Sequence, residues 1–261
     1  MTNAQVKTPH VGLFVTCLVD AMRPSVGFAA VSLLEDAGCR ISVPQAQTCC
    51  GQPVYNSGDD ADAAALARNT IAAFESFDYV VAPSGSCLAM IKVHYPGLLR
   101  EDAAWHKRAV ALAAKCYELT AFLSDVMQLQ LPPGMQPFAH TVTYHDSCSG
   151  LRELGIKAQP RQLLSQVGGV QLKEMADTDV CCGFGGTFCV KYPEISTKMV
   201  DDKLADAAAT QAEVLLGGDL GCLMNIAGRA SRQGQPLKVY HIAEVLAGMA
   251  GAPLCSDKER S

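Results

Sequence analysis

Short apolar runs and amphipathic stretches alternate along the chain, and the same order occurs twice. Val11–Val15 is a compact apolar run of the kind that forms a buried strand. Ser25–Asp36 has helical spacing at Val26, Ala29, Ala30, Leu33 and Leu34, and it stops at Gly38, a residue type that tolerates a left-handed helix end. Ile41–Val43 predicts a second strand, Asp60–Phe77 an alanine-rich helix, and Tyr79–Ala82 a third strand leading into Pro83, Ser84, Gly85, Ser86 and Cys87. Asp102–Met127 reads as helical, and Leu131–Pro137, with its Pro-Pro-Gly, as a linker. Beyond it the order returns: strand Thr141–Tyr144, helix Pro160–Val167, strand Val170–Leu172, helix Ser196–Ala209, strand Glu213–Leu216. Strand Leu237–Tyr240 and helix Ile242–Met249 close the pattern. Such alternation predicts an α/β fold of two pseudo-repeated, Rossmann-like halves with parallel sheets, over residues 1–130 and 138–250.

Composition narrows the picture. With 261 residues, 49% hydrophobic and 18% charged, the chain can bury a sizeable core and is not of the disordered class. The net charge of -5 and the lack of any Lys/Arg cluster exclude an electrostatic footprint for nucleic acid. The longest apolar stretch near the start, Val11 to Val19, is interrupted by Thr16 and Cys17. It falls far short of the roughly 20 residues of a membrane span. It also lacks the charged flank and small-residue cleavage site of a signal peptide, so a cytoplasmic protein is expected.

Cysteine usage changes the picture most. There are twelve, and two pairs are vicinal, Cys49-Cys50 and Cys181-Cys182, each followed by glycine. Cys17 precedes the first pair by 32 positions and Cys87 follows it by 37; Cys148 precedes the second by 33 and Cys222 follows it by 40. Matched spacings of this kind indicate a duplication. Cys17, Cys87, Cys148 and Cys222 each fall just past a predicted strand, where open α/β sheets place their ligands and where helix N-termini favour thiolates. In a reducing compartment clustered thiols bind metal or do redox work rather than form disulfides. Four thiolates per half suit either structural zinc or an iron–sulfur cluster. Neither tetrad contains the Cys-x-x-Cys pair usual for zinc, and the long reaches require a whole βαβ framework. That favours the cluster, with zinc as the alternative. Cys39 and Cys116 lie in apolar segments and read as core residues, Cys255 as a surface thiol, and Cys189 as a packing residue or a spare ligand. His145 and Asp146 read as caps of the strand end, or alternatively as groups that move a proton or tune the site. Arg152 could meet a carboxylate or an anionic cluster. Gly183, Gly185 and Gly186 lack the spacing of a phosphate loop, and no hydrolase triad or HExxH pattern occurs.

Three stretches of the first half and three of the second carry a family resemblance. They are Cys17–Asp20, Thr48–Gly58 and Pro83–Cys87, then His145–Gly155, Cys181–Phe188 and Gly221–Ile226. In these motifs the chain resembles the cysteine-rich CCG-domain proteins, and most closely the lactate-utilisation protein A family. The resemblance extends from about Val11 to Ala247. It implies an iron–sulfur subunit of an oxidoreductase complex that oxidises L-lactate to pyruvate. Two other subunits are implied as partners, one of them ferredoxin-like. It further implies up to two clusters of the [4Fe–4S] type, one on Cys17, Cys49, Cys50 and Cys87, the other on Cys148, Cys181, Cys182 and Cys222. No catalytic residue is implied, and a small-molecule substrate on this subunit is left open. Similar domains in heterodisulfide reductase and in the iron–sulfur subunit of glycolate oxidase supply alternative activities, and a zinc-stabilised scaffold is the non-enzymatic alternative. Related domains end each half with a further cysteine three positions on, where this chain has Met90 and Asn225.

Overall fold

The computed structural model describes residues 8–132 and 134–256. The first half opens with strand β1 (His10–Leu13), the short helix α1 (Cys17–Met22) and helix α2 (Pro24–Asp36). Next come β2 (Arg40–Ser42), α3 (Gln52–Tyr55), α4 (Asp60–Phe74) and β3 (Tyr79–Ala82). It continues through α5 (Gly85–Ala89), a π-helical turn (Met90–His94), α6 (Tyr95–Leu98), α7 (Ala103–Ala113), β4 (Cys116–Glu118) and α8 (Leu119–Ala121). The second half runs β5 (Thr141–His145), α9 (Cys148–Arg152), α10 (Ala158–Leu164), β6 (Gln171–Leu172), α11 (Phe188–Lys191) and α12 (Pro193–Ala209). It ends with β7 (Val214–Gly217), α13 (Leu220–Arg232), β8 (Lys238–His241) and α14 (Ile242–Leu246).

Each half is a four-stranded parallel sheet, in the orders β2-β1-β3-β4 and β6-β5-β7-β8. Helices cover both faces, so the central strands are almost wholly apolar and buried, as Val80, Val81 and Ala82 or Val214, Leu215 and Leu216 show. In both sheets the strand order reverses between the first and third strands of the half. Their carboxyl ends therefore frame a crevice at a topological switch point.

One expectation fails. Asp102–Met127 is not a single helix: α7 stops at Ala113, and Cys116–Glu118 form β4, paired to β3 through Val80↔Cys116 and Ala82↔Glu118. Lys115 makes the turn, its Nζ donating to the Glu75 and Phe77 carbonyls at 2.6 and 2.5 Å. Burial of Cys116 and Glu118 against the sheet outweighs the helical propensity of the flanking residues. The strand makes the duplication more complete, because β4 is the counterpart of β8.

The halves share a core. Val11, Leu13, Leu33 and Phe122 belong to the same buried cluster as Val142, Tyr144, Leu216 and Ile242. They meet about an approximate two-fold axis, with α2 packed on α14, α8 on α10, and α5 on α9. The α5–α9 crossing is close because it is made at glycines: a Cβ on Gly85 would lie 2.9 Å from the Gly150 Cα. On one side of the axis the buried Arg23 guanidinium donates to Glu244 Oε1 at 3.0 Å and to Oε2 at 3.3 Å. No described helix is long and apolar enough to cross a membrane.

Candidate metal centres

The same local devices deliver the cysteines in both halves. Cys17 begins α1, where Thr16 Oγ1 accepts from the Val19 N–H at 3.3 Å. Cys148 begins α9, where Ser147 Oγ accepts from the Gly150 N–H at 3.3 Å. Cys87 and Cys222 lie in the first turns of α5 and α13. Ser84 caps α5 through the Cys87 N–H. Its counterpart Asp219 turns across the axis instead, accepting from Ser84 Oγ at 3.1 Å and from the Ser86 N–H at 2.9 Å. The vicinal pairs come from the loops before Gly51 and Gly183, whose φ angles of 84° and 82° require glycine. That turn lets each glycine N–H donate to the sulfur two residues back, Cys49 at 3.5 Å and Cys181 at 3.4 Å.

The structure thus brings all eight predicted cysteines into two tetrads. In the first, Cys17 is exposed, Cys49 and Cys87 are half-buried, and Cys50 is buried. Cys17 Sγ lies 3.9 Å from Cys49 Sγ, and further hydrogen bonds link Cys49 to Cys50 and Cys50 to Cys87. Hydrogen bonds from Cys17 and then Cys50 hold the Cys49 thiol well below the usual thiol range. The same bond to Cys49, followed by burial, pushes the Cys17 thiol up, and the bonds to Cys49 and Cys87 raise Cys50. The sulfurs line a cavity of about 250 Å³ whose far wall is Phe184 and Thr187 from the vicinal-cysteine loop of the other half. Tyr95 OH donates to the Cys50 carbonyl at 2.8 Å and fixes the loop from beneath.

In the second tetrad Cys182 and Cys222 are buried while Cys148 and Cys181 are half-buried. The hydrogen bond with Cys182 pulls the Cys222 thiol down, but burial together with the nearby Asp219, Cys148 and Cys181 charges pushes it up to about 11. Cys148 is raised by its bond to Cys181 and then by burial. Cys181 faces a cavity of about 450 Å³ that also touches Lys191 and Tyr192. Thr187 lines this cavity and the first one, so a single loop divides the two. At the buried end stands His145, 1% exposed, with one ring nitrogen and the Cys182 and Cys222 sulfurs all within 4.8 Å of one another. Burial, with the nearby Lys203 charge, lowers the His145 pKa to about 3, so the ring is neutral. Lys203 is itself buried, its Nζ donating to the Asp177 carbonyl at 2.5 Å.

The donor sets fit a thiophilic metal group. Each is four free sulfurs at the end of a rigid strand–helix frame, with N–H groups turned toward them. Several neighbours differ from expectation. His145 caps nothing, for neither ring nitrogen has a hydrogen-bond partner, and Ser147 does the capping. Asp146 is held by a bidentate pair with Arg161, both contacts 2.9 Å. Arg152 donates to the Asp179 carbonyl at 2.8 Å. Asn225 Nδ2 donates to the Cys182 carbonyl at 2.9 Å, doing for the second loop what Tyr95 does for the first. Met90 is fully buried in the core that holds Phe14 and Tyr95. Cys39 and Cys116 are core residues as expected. Cys189 bonds the Gly186 carbonyl at 3.2 Å, and Cys255 packs half-buried against the second core. Tyr95, Asp219 and Lys203 carry no motif and were not singled out by the sequence. Aligning the halves does flag His145, which faces Phe14 in the register.

This duplicated frame with paired cysteine tetrads defines the class: the sequence model of the cysteine-rich CCG domain matches twice, over residues 11–92 and 142–227. A hypothetical protein from Helicobacter pylori shares the fold, with a TM-score of 0.66 at 10% identity over 96% of this chain; this chain spans half the length of that one. Lactate utilization protein A of an Exiguobacterium species is 50% identical over 91% of this chain and 97% of its own length. Lactate utilization protein A of Geobacillus thermodenitrificans is also 50% identical, over 90% and 98%. The chain belongs to the lactate utilization protein A family.

Proposed function

We propose that this protein is the iron–sulfur subunit of an oxidoreductase complex that converts L-lactate to pyruvate. The observation that carries the reading is the pair of cysteine tetrads at the two switch-point crevices, in a chain half identical to proteins named for lactate utilization. Cys17, Cys49, Cys50 and Cys87 hold one cluster and Cys148, Cys181, Cys182 and Cys222 the other. Clusters of the [4Fe–4S] type supply one-electron acceptance and release. The chain's own part is to hold and insulate: Tyr95 and Asn225 fix the two vicinal-cysteine loops by their carbonyls, and Phe184 and Thr187 wall the first crevice. Oxidation of lactate to pyruvate releases two electrons and two protons, so a pair of one-electron centres matches the demand. The other subunits of the complex, one ferredoxin-like, donate to or accept from these centres.

The test is reconstitution of the complex without oxygen. L-lactate should bleach the visible cluster absorption of this subunit, with pyruvate formed in proportion. Partner subunits that oxidise lactate at an unchanged rate without this chain would contradict the proposal.

A further inference from the structure

The halves align position by position from β1 into α1 and from β5 into α9. In that register Phe14 corresponds to His145, each three residues before the leading cysteine of its tetrad. Phe14 is an ordinary core residue, fully buried with its ring 5.5 Å from that of Phe74. His145 is as deeply buried, yet both Nδ1 and Nε2 lack a hydrogen-bond partner. A buried polar ring without partners keeps the full desolvation penalty of each unpaired group. A phenyl ring serves at the twin position without that cost. Such a group calls for a partner that the protein atoms do not supply.

Its surroundings say what kind. One ring nitrogen of His145 and the sulfurs of Cys182 and Cys222 lie within 4.8 Å of one another, the single such group of three metal-type donors among the described residues. The other polar side chains nearby are committed elsewhere. Asn225 is turned to the Cys182 carbonyl, Lys203 to the Asp177 carbonyl, and Asp146 to Arg161. Among the described residues of the first half no ring nitrogen stands with the sulfurs in this way: Phe14 offers no donor and Met90 is buried in the core.

We propose that His145 is a nitrogen ligand of the metal group held by the second tetrad, so that the two centres differ in donor set: sulfur alone in the first, sulfur with one imidazole in the second. The proposal rests on the reading that the tetrads hold iron–sulfur clusters. A neutral imidazole beside the sulfurs adds no negative charge to the centre, and axial and outer ligands are levers on a cluster's reduction potential, so the two centres would differ in potential.

The experiment uses the full chain purified without oxygen, with histidine labelled by ¹⁵N or left as ¹⁴N, and pulsed EPR of the reduced centres. Expected is a hyperfine coupling of directly bound imidazole that changes on labelling. His241, the other buried histidine, cannot supply it, because its nitrogens face the Pro83 carbonyl and the Ala243 N–H. His145→Phe, which copies Phe14, should abolish the coupling and shift one of the two midpoint potentials while the other stays. The wild-type measurement decides the matter even if that variant folds poorly. Iron and sulfide present with no histidine coupling would overturn the ligation alone; protein without iron would overturn both it and the iron–sulfur reading.

Discussion

The two crevices are built from one plan and furnished differently. In the first, Cys17 is exposed beside an open cavity, the residue before it, Thr16, holds a φ of 60°, and the neighbour on the strand is Phe14. In the second, Cys182 and Cys222 are buried, Ser147 sits at a relaxed φ of -65°, and the neighbour is His145. A β-branched residue at positive φ is strained, and such strain persists only where surrounding structure enforces it. The brace beneath each vicinal-cysteine loop also differs, a tyrosine hydroxyl in one half and an asparagine amide in the other. The lesson is that strand ends and helix starts dictate where the eight sulfurs stand. The side chains around them are free to diverge, leaving one exposed sulfur in the first tetrad and two buried ones in the second.

The sharpest way to break this contrast is to remove one ligand from each half. Cys222→Ser and Cys17→Ser should each cost about half of the bound metal. Loss of the buried ligand should lower the melting temperature of the loaded protein by on the order of 10 °C, and loss of the exposed one by less than about 3 °C. Equal losses, read from metal analysis and thermal scans, would erase the distinction. The two sides of the pseudo-two-fold axis offer the next contrast. Arg23→Ala leaves the buried Glu244 with the Ser25 hydroxyl and the His241 N–H but without its cationic partner, and should cost about 3–5 kcal/mol in denaturant titrations. On the opposite side Gln159→Ala removes two exposed contacts, 2.8 Å to Asp125 and 3.1 Å from the Lys157 N–H, and should cost less than about 1 kcal/mol.

A third contrast lies in the twin caps that follow β4 and β8. Glu118 accepts at Oε2 from Thr120 and Ala121, but burial raises its pKa from 4.5 to about 7. Between those values the folded chain holds a proton that the unfolded chain releases, so this group's stabilisation falls as pH rises through the window. Wild type should lose roughly 3 kcal/mol relative to Glu118→Gln between pH 4 and 8. His241, which caps α14, has its pKa lowered by burial and so contributes with the opposite sign, gaining stability as pH rises toward 6.5. A flat difference between wild type and Glu118→Gln would contradict the assignment. The smallest effect concerns thiol reactivity. In metal-free protein at pH 7 only the first tetrad contains a thiol held low, Cys49, so iodoacetamide should modify it at least about 10-fold faster than Cys181. Peptide mass spectrometry reads the ratio.

Much of this was legible in the sequence because it rests on local rules. Tyr79–Ala82 was predicted to its exact bounds, since a short β-branched run between turn residues has one reading. The helix Pro24–Asp36 begins one residue before its predicted start and ends at the predicted residue, before Gly38. The matched cysteine spacings pointed to two tetrads, and the sulfurs converge because Cys17, Cys87, Cys148 and Cys222 follow strand ends while the loops before Gly51 and Gly183 bring in the vicinal pairs. β4 was missed because Cys116–Glu118 is too short to show a period and follows a helix without a glycine or proline. Its strand character comes from pairing with β3, which is a tertiary effect. The roles of Tyr95, Asp219 and Asn225 were hidden for a similar reason. Each acts on a backbone group far along the chain, and nothing in its neighbours records the contact.

The central claim is that the two tetrads hold iron–sulfur clusters, and metal analysis of anaerobically purified protein tests it most directly. The account predicts iron and acid-labile sulfide in comparable amounts, with an EPR signal on reduction that loses one component in Cys50→Ser and the other in Cys182→Ser. Stoichiometric zinc with no iron and no visible absorption would contradict it.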